Sequence, residues 1–424
     1  MDILIVGAGK VGYFLAKTLS KNHNVTIIDK NEKALEKITE TIDVLCINKD
    51  VRNSSIFHLL EEEYDYLVNV TNIDEINIIA DQLLKQKIKI KHSILRIKNT
   101  LYISSPLYKI VNARLIFPYT ICAGAISQLM ECPKANNIKQ IPLTEFVLVS
   151  IYAKNPTLTT LINSEKINII GIERDNKFIF YNENMEIKDN DLIYIFGDLN
   201  EIKKIASQID TISPLSIQAV TIFGGNILGT TIAKNLFEMD IQVKIIEKDN
   251  TLAKEAAEFL DDEIEILNIS YEDLEILSNT ISNSDIVITA YFHDEENIIK
   301  SLIAKNIGIK KVITINNNFN YYKIMHSLKL STIRGPKIAT FYEVLEEIDS
   351  QMLIYERFFL GAQGKIFIKK IFKQQKITPP KEYAKVLLIR NNVIIEITKK
   401  IEVMPEDIII EFNFSGNKTW IENL

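Results

Sequence analysis

Asp2-Ile3-Leu4-Ile5-Val6-Gly7-Ala8-Gly9-Lys10-Val11-Gly12 leads into a helical run from Tyr13 to Ser20. The apolar β run stops at Gly7, glycines turn the chain, and the spacing predicts a helix from about Lys10. A G-x-G-x-x-G pattern carries meaning only in that strand–loop–helix setting. The glycines then serve separate ends. Gly7 permits the tight turn, Gly9 removes the Cβ that would keep a phosphate away, and Gly12 lets helix and sheet approach. Free N–H groups and the helix dipole favour an anion at that point.

The next β run, Val25 to Ile28, ends in Asp29, 20 residues beyond Gly9 (29 − 9). A carboxylate there accepts hydrogen bonds from a ribose 2′-OH and repels a 2′-phosphate, so NAD(H) or an adenosine nucleotide fits better than NADP. With 424 residues, 47% of them hydrophobic and 25% charged, the chain has ample core for roughly two to four domains. The net charge of −6, with no basic stripe carrying interleaved aromatics, disfavours nucleic acid. The three cysteines (Cys46, Cys122, Cys132) lack metal-ligand spacing and suit a reducing cytoplasm. No apolar run reaches the ~18 residues of a membrane span. The chain starts directly on a core strand, so a soluble protein without signal peptide is expected.

The opening stretch occurs twice. Val220-Thr-Ile-Phe-Gly224-Gly225-Asn226-Ile227-Leu228-Gly229 repeats it at a shift of 217 (224 − 7), and Val243 to Glu247 repeats Val25 to Asp29. Thr71-Asn-Ile-Asp74-Glu75-Ile-Asn77 is echoed by Tyr291-Phe-His-Asp294-Glu295-Glu-Asn297. Ile172-Glu-Arg174-Asp-Asn176 matches Leu388-Ile-Arg390-Asn-Asn392, and Asp191 matches Asp407. Ordered anchors at nearly constant shift indicate a tandem duplication.

Each half begins with alternating strands and helices. In the first half these are strands Ile3–Val6, Val25–Ile28, Val44–Ile47, Tyr66–Val70 and Ser93–Ile97, and helices to Ser20, Glu32–Thr39, Ser54–Glu62 and Glu75–Gln86. That alternation argues an α/β fold with a parallel, doubly wound, Rossmann-like sheet. Ala123–Met130 reads as a helix leaving the sheet, an element for hinge or dimer. Short β runs at Glu145–Tyr152, Ile167–Glu173, Lys177–Tyr181 and Asp191–Phe196 then make a small α+β module. The expected division is 1–133 and 217–347 for two tandem Rossmann-like domains, each followed by a small α+β domain at 134–212 and 350–424, with Thr211–Ser216 as linker.

No pair among the five histidines (His23, His58, His92, His293, His326) is spaced for a metal, and His23 and His92 are not placed to face a nicotinamide ring. His293 beside Asp294 reads as a solvated loop residue sooner than a general base, and no nucleophile set stands out. Asp74 and Glu75, before a helical apolar run, read as its cap and dipole partners. A sensed nucleotide fits better than a consumed one.

With Gly7-Ala-Gly-Lys-Val-Gly12, Asp29, Val70-Thr71-Asn72 with Asp74-Glu75 and Asn77, the strand ending in Arg96 and the duplication in view, the chain resembles the TrkA-type regulatory proteins of bacterial Trk/Ktr potassium uptake. Those carry tandem RCK-N (KTN) and RCK-C pairs, and the likeness spans essentially the whole chain. It implies a homo-oligomer, a dimer or a tetrameric ring, docked on the inner face of the membrane under a K+-conducting Trk/Ktr-type partner, with NAD(H) or ATP/ADP biasing the gate. It places Gly7, Ala8, Gly9, Lys10, Val11 and Gly12 at the phosphates, Asp29 at the ribose, Thr71 and Asn72 beside the ligand, and Arg96 near phosphate. The corresponding second set is Gly224, Gly225, Asn226, Ile227, Leu228, Gly229 and Glu247. The sequence departs from the family at Lys49-Asp50, where a Gly-Asp is usual, and at Asn268-Ile269, where the acid is gone. Asn226 replaces the phosphate-facing glycine, and Asn316 is expected where Arg96 has its counterpart (316 − 96 = 220). A Cβ at position 226 should block the pyrophosphate, so the second site is expected to bind weakly, in altered geometry, or not at all. An NAD-dependent oxidoreductase, or an RCK-type regulator of another transporter, stays open as an alternative.

Overall fold

In the computed structural model the described residues are 1–104, 111–158, 160–161, 163–175, 177–260, 263–269, 274–349, 354–359, 364–380, 384–414 and 420–423. Asn176, one of the repeat anchors, lies outside them.

Apolar runs buried on both faces form the first sheet. Its strands are β1 (Asp2–Val6), β2 (Asn24–Asp29), β3 (Leu45–Asn48), β4 (Glu63–Asn69), β5 (Lys89–Arg96) and β6 (Arg114–Ile116), in the order β3-β2-β1-β4-β5-β6. All pairings are parallel, with Val6 opposite Ile28 on one side and Asn69 on the other. This is the doubly wound order in which a cleft opens beyond the C-terminal ends of β1 and β4. The helix Lys10–Leu19 buries Val11, Gly12, Leu15, Ala16 and Leu19, and Asp74–Lys85 buries Asn77, Ala80, Asp81 and Leu84, each a stripe of helical period. The segment expected as a helix at Ser54–Glu62 is instead a 3₁₀ turn, Ser54–Leu59, capped by Asn53, because β4 already begins at Glu63.

The second sheet repeats the first: β12 (Ala219–Phe223), β13 (Gln242–Glu247), β14 (Glu265–Asn268), β15 (Ile286–Thr289), β16 (Lys311–Asn316) and β17 (Ser331–Arg334), in the order β14-β13-β12-β15-β16-β17.

Two antiparallel five-stranded sheets follow, with a small antiparallel pair, Gln375–Ile377 and Ile401–Val403, beside the second. One orders β7 (Asn137–Gln140), β8 (Val147–Tyr152), β9 (Ile167–Arg174), β10 (Lys177–Phe180) and β11 (Leu192–Gly197) as β10-β9-β11-β8-β7. The helix Leu199–Ile209 follows it, and the Asp198 carboxylate caps that helix. The other contains Ile354–Phe359, Gly364–Lys370, Ala384–Arg390, Val393–Glu396 and Ile408–Asn413. Phe146, Phe196, Phe359, Ile366 and Phe412 belong to one apolar cluster that both sheets bury together. The repeated Arg–Asp anchors are structural: Arg174 grips Asp191 through two bonds of 2.7 Å, and Arg390 grips Asp407 at 2.9 and 2.6 Å. Each guanidinium also reaches a carbonyl across the same turn, Glu186 or Glu402, and so pins it.

By contacts the described chain forms two compact units. One holds Met1–Cys122 together with Arg334–Ile348; the other holds Ala123–Ile333 and Asp349–Leu424. In the first unit, Phe341 meets Phe14 edge-on at 6.5 Å and Arg114 faces Glu343 and Glu347. The helix Pro336–Asp349, coded by the second repeat, thus belongs mostly to the first unit, against the Lys10–Leu19 helix and β6. In the second unit, fully buried Lys311 donates to the carbonyls of Pro133 and Ala135. Lys134 donates to Ser213 O, and Lys154 to Ser213 Oγ beside Asp210. Among the described residues no helix is long and apolar enough to cross a membrane.

Candidate functional site

The first glycine loop is built around Gly7, whose φ of +110° only glycine adopts without strain and whose N–H donates to Ile28 O at 2.8 Å. The loop doubles back so closely that a Cβ on Gly12 would lie 1.8 Å from Gly7 O. Gly9 caps the Lys10–Leu19 helix in extended conformation; a Cβ there would meet nothing within 4 Å, and no side chain caps the helix. The position a Gly9 side chain would take, at the start of this helix, is therefore open. Asp29, at the end of β2, accepts from Ala8 N at 2.6 Å and Asn31 N at 2.8 Å. Carboxylate and glycine loop are thereby fixed side by side, as a ribose next to a phosphate requires.

Across the cleft, Asn77 joins the ends of β4 and β5. Its oxygen accepts from Thr71 N (3.0 Å) and Thr71 Oγ1 (2.7 Å), while its amide donates to Thr71 O (3.2 Å) and Arg96 O (2.8 Å). This puts Thr71 against the loop, with its backbone N 3.0 Å from where a Gly7 Cβ would be. Arg96 is 4% exposed and donates from Nη1 to Asn72 Oδ1 at 3.1 Å, but among the described residues its Nε has no partner. Burial lowers its proton affinity, with Tyr119 and Asp74 acting the other way. A buried guanidinium with one N–H still unpaired suits an incoming anion.

Asp74 and Glu75 do not cap their helix with their side chains as expected. Ile73 is the cap residue; Asp74 instead receives Lys98 N and Asn99 N, both at 2.9 Å, and Glu75 receives Tyr102 OH at 2.6 Å. Both carboxylates thus hold the loop after β5. Only their first-turn position, which complements the helix dipole, is as expected.

The second loop has the same backbone. Gly224 has φ +113°, and a Cβ on Gly229 would lie 1.8 Å from Gly224 O. Glu247 accepts from Gly225 N (2.7 Å) and Asp249 N (2.9 Å), and Asn297 joins Tyr291 to Ile315 as Asn77 joins Thr71 to Arg96. One residue changes the character of the site. Asn226 Oδ1 accepts from Leu228 N (2.9 Å) and Gly229 N (3.4 Å), and its Nδ2 donates to Ala290 O (2.7 Å). The Ile227 side chain is exposed. The expected counterpart of Arg96 needs correcting: the asparagine bridge ends on Ile315, a shift of 219 (315 − 96), because the second half is one residue shorter there. Asn316 instead accepts from Asn318 N at 2.9 Å. The equivalent position therefore carries no guanidinium.

The TrkA-N domain family matches this chain over residues 3–117 and again over 220–336. The chain belongs to the TrkA family. Among relatives, the Trk system potassium uptake protein TrkA homolog 1 of Methanosarcina mazei is 29% identical over 366 residues, covering 82% of this chain and 89% of that protein. The GsuK channel bound to NAD shares the fold over 98% of this chain and 77% of its own, with a TM-score of 0.63 at 11% identity. GsuK bound to ADP gives 0.54 at 10% identity, over 82% of this chain and 69% of its own.

In this TrkA chain the joining role of Asn77 and Asn297 is not evident from the sequence, although the echoed Asp-Glu-x-Asn spacing is its signal. His326 takes its place in a polar cluster of the second unit, 2.8 Å from Glu173 and 3.2 Å from Tyr152 OH. Among the described residues no three His, Cys, Asp or Glu side chains converge as for a metal.

Proposed function

We propose that this chain is the nucleotide-responsive regulatory subunit of a potassium uptake system, with NAD(H), or ATP/ADP, held at Gly7–Gly12. The observation that carries the reading is the helix start at Gly9 with no side-chain cap, beside Asp29; the buried Arg96 at the end of β5, its Nε unpaired among the described residues, adds a cationic donor to the same sheet. Phosphate would lie on the amides of the Gly7–Val11 loop and toward Arg96, ribose on Asp29, and the base or nicotinamide beside Thr71 and Asn72. The names of the relatives support a membrane K+-transporting partner for a chain of this family. On this reading the nucleotide is sensed and not turned over, the chain works as a homo-oligomer on the inner membrane face, and 1–133 and 217–347 are the Rossmann-like segments with 134–212 and 350–424 as the small modules.

A bound nucleotide shifts a regulatory equilibrium only by its differential affinity for the two states; ~1–3 kcal/mol changes partner behaviour several-fold to a hundredfold. Calorimetry of NAD, NADH, ATP and ADP on the purified protein tests the reading. Gly9→Val, whose Cβ meets no neighbour within 4 Å, should fold normally yet abolish binding. Binding that survives this substitution places the nucleotide elsewhere.

A further inference from the structure

The two glycine loops form a controlled comparison inside one chain. Gly7 and Gly224 adopt nearly the same positive φ, 110° and 113°. The residues that cap the following helices, Gly9 and Asn226, are both extended, at φ −67° and −74°. The same backbone is therefore present with and without a side chain at the mouth of the helix. In the first loop the mouth is bare. In the second, Asn226 is 4% exposed and its carboxamide oxygen takes two of the amides that a phosphate oxygen would take. Its nitrogen is anchored on Ala290 O, at the end of the strand beside β12, so the carboxamide is held from both sides.

A second contact acts at the same cleft. Lys248, which follows Glu247, pairs with Glu296 in the first turn of the Asp294–Ile307 helix and lies 6.0 Å from the Tyr291 ring centroid. The first half cannot copy this contact, since Ile76 stands where Glu296 does (296 − 76 = 220). Glu247 is itself 2% exposed.

We infer that the second cleft is liganded by the chain itself: the Asn226 carboxamide occupies the phosphate position and the Lys248–Glu296 pair bars the entrance, so nucleotide acts through the first half alone. The second cleft then answers to no change in nucleotide concentration. This rests on the regulatory reading above, and the stoichiometry separates the two.

The decisive measurement is calorimetry of the full chain with NADH and with ADP. Wild type should bind one nucleotide per chain and Gly9→Val none. Gly9→Val combined with Asn226→Gly and Glu296→Ala should regain one site. That site should be at least tenfold weaker than the first, since Ile315 supplies no guanidinium. Asn226→Gly leaves the Ala290 carbonyl without its donor, so the triple variant should melt somewhat below Gly9→Val while still unfolding cooperatively. Two nucleotides per wild-type chain, or one remaining in Gly9→Val, overturns the inference whether or not the triple variant folds. So does a folded triple variant that binds nothing. A wild type that binds neither nucleotide ends the regulatory reading, while recovery of a site in the triple variant would still support self-occupation of the second.

Discussion

Replacing Lys311 by methionine should remove a pH dependence from the second unit. Lys311 is fully buried at the start of β16, and burial pushes its ammonium down to about 7, with Lys154 and Lys134 reinforcing the shift and Cys132 and Asp210 opposing it. In the unfolded chain it titrates at the ordinary 10.5. Between those values the unfolded state holds a proton that the folded state has released, so stability rises with pH across the window from about 7 to 10.5. One pKa unit is worth about 1.4 kcal/mol, so the step from pH 7 to pH 9 should add about 2 kcal/mol from this group. Methionine cannot titrate and removes that slope. It also leaves the Pro133 and Ala135 carbonyls without their donor, at about 1–3 kcal/mol each. The variant should therefore be clearly weaker at pH 9 and close to wild type at pH 6. Trp420, the single tryptophan, packs into the second unit, so its fluorescence in urea titrations follows that unit directly. A Lys311→Met protein whose midpoint climbs between pH 7 and 9 as steeply as wild type would refute this account of the buried amine.

Gly12→Ala drives a methyl into Gly7 O and should cost about 1–3 kcal/mol with loss of NADH binding, read by urea unfolding and calorimetry. Asn77→Ala leaves Thr71 N, Thr71 O and Arg96 O without their partner; thermal melting should show a loss of about 3 kcal/mol or more, and an unchanged melting point would dismiss the role given to this residue. NADP should bind at least tenfold more weakly than NAD in wild type, and Asp29→Ala should narrow that ratio in competition titrations; equal wild-type affinities would dismiss the carboxylate argument. Arg96→Leu should weaken ADP and NADH alike by tenfold or more while leaving the melting point high, because a buried ion with an unpartnered Nε contributes little to stability.

The glycine loop was legible because its demands are local. A positive φ at Gly7 and a close approach at Gly12 admit no other residue type, so the chemistry shows in the spacing. Asp29 was legible because a strand end fixes where its side chain goes. The duplication was visible even where its reason was hidden: Arg174 with Asp191, and Arg390 with Asp407, repeated as bare letters before the pinned turns explained them. Contacts across the fold were not legible. Asn77 reaches two strand ends, and nothing within a few residues of it announces that. The shift of Arg96 onto Ile315 depends on one residue fewer between Asn297 and Ile315 in β16 than between Asn77 and Arg96 in β5, which an alignment anchored on Asp74 and Asp294 carries past unnoticed. Asn226 is the obstacle its residue type suggests, but its Cβ matters less than its carboxamide, which supplies the hydrogen bonds it displaces.

The helix that the second repeat lends to the first sheet has a consequence for what the polypeptide can survive. The stretch Thr211–Ser216 lies inside the second unit and carries Leu215 at 76% exposure, an obvious place for a protease to cut. Each fragment from such a nick would own part of both units: one brings Met1–Cys122 and the β7–β11 module, the other Arg334–Ile348 and the remaining sheets. The severed pieces should co-migrate on gel filtration and separate only in denaturant.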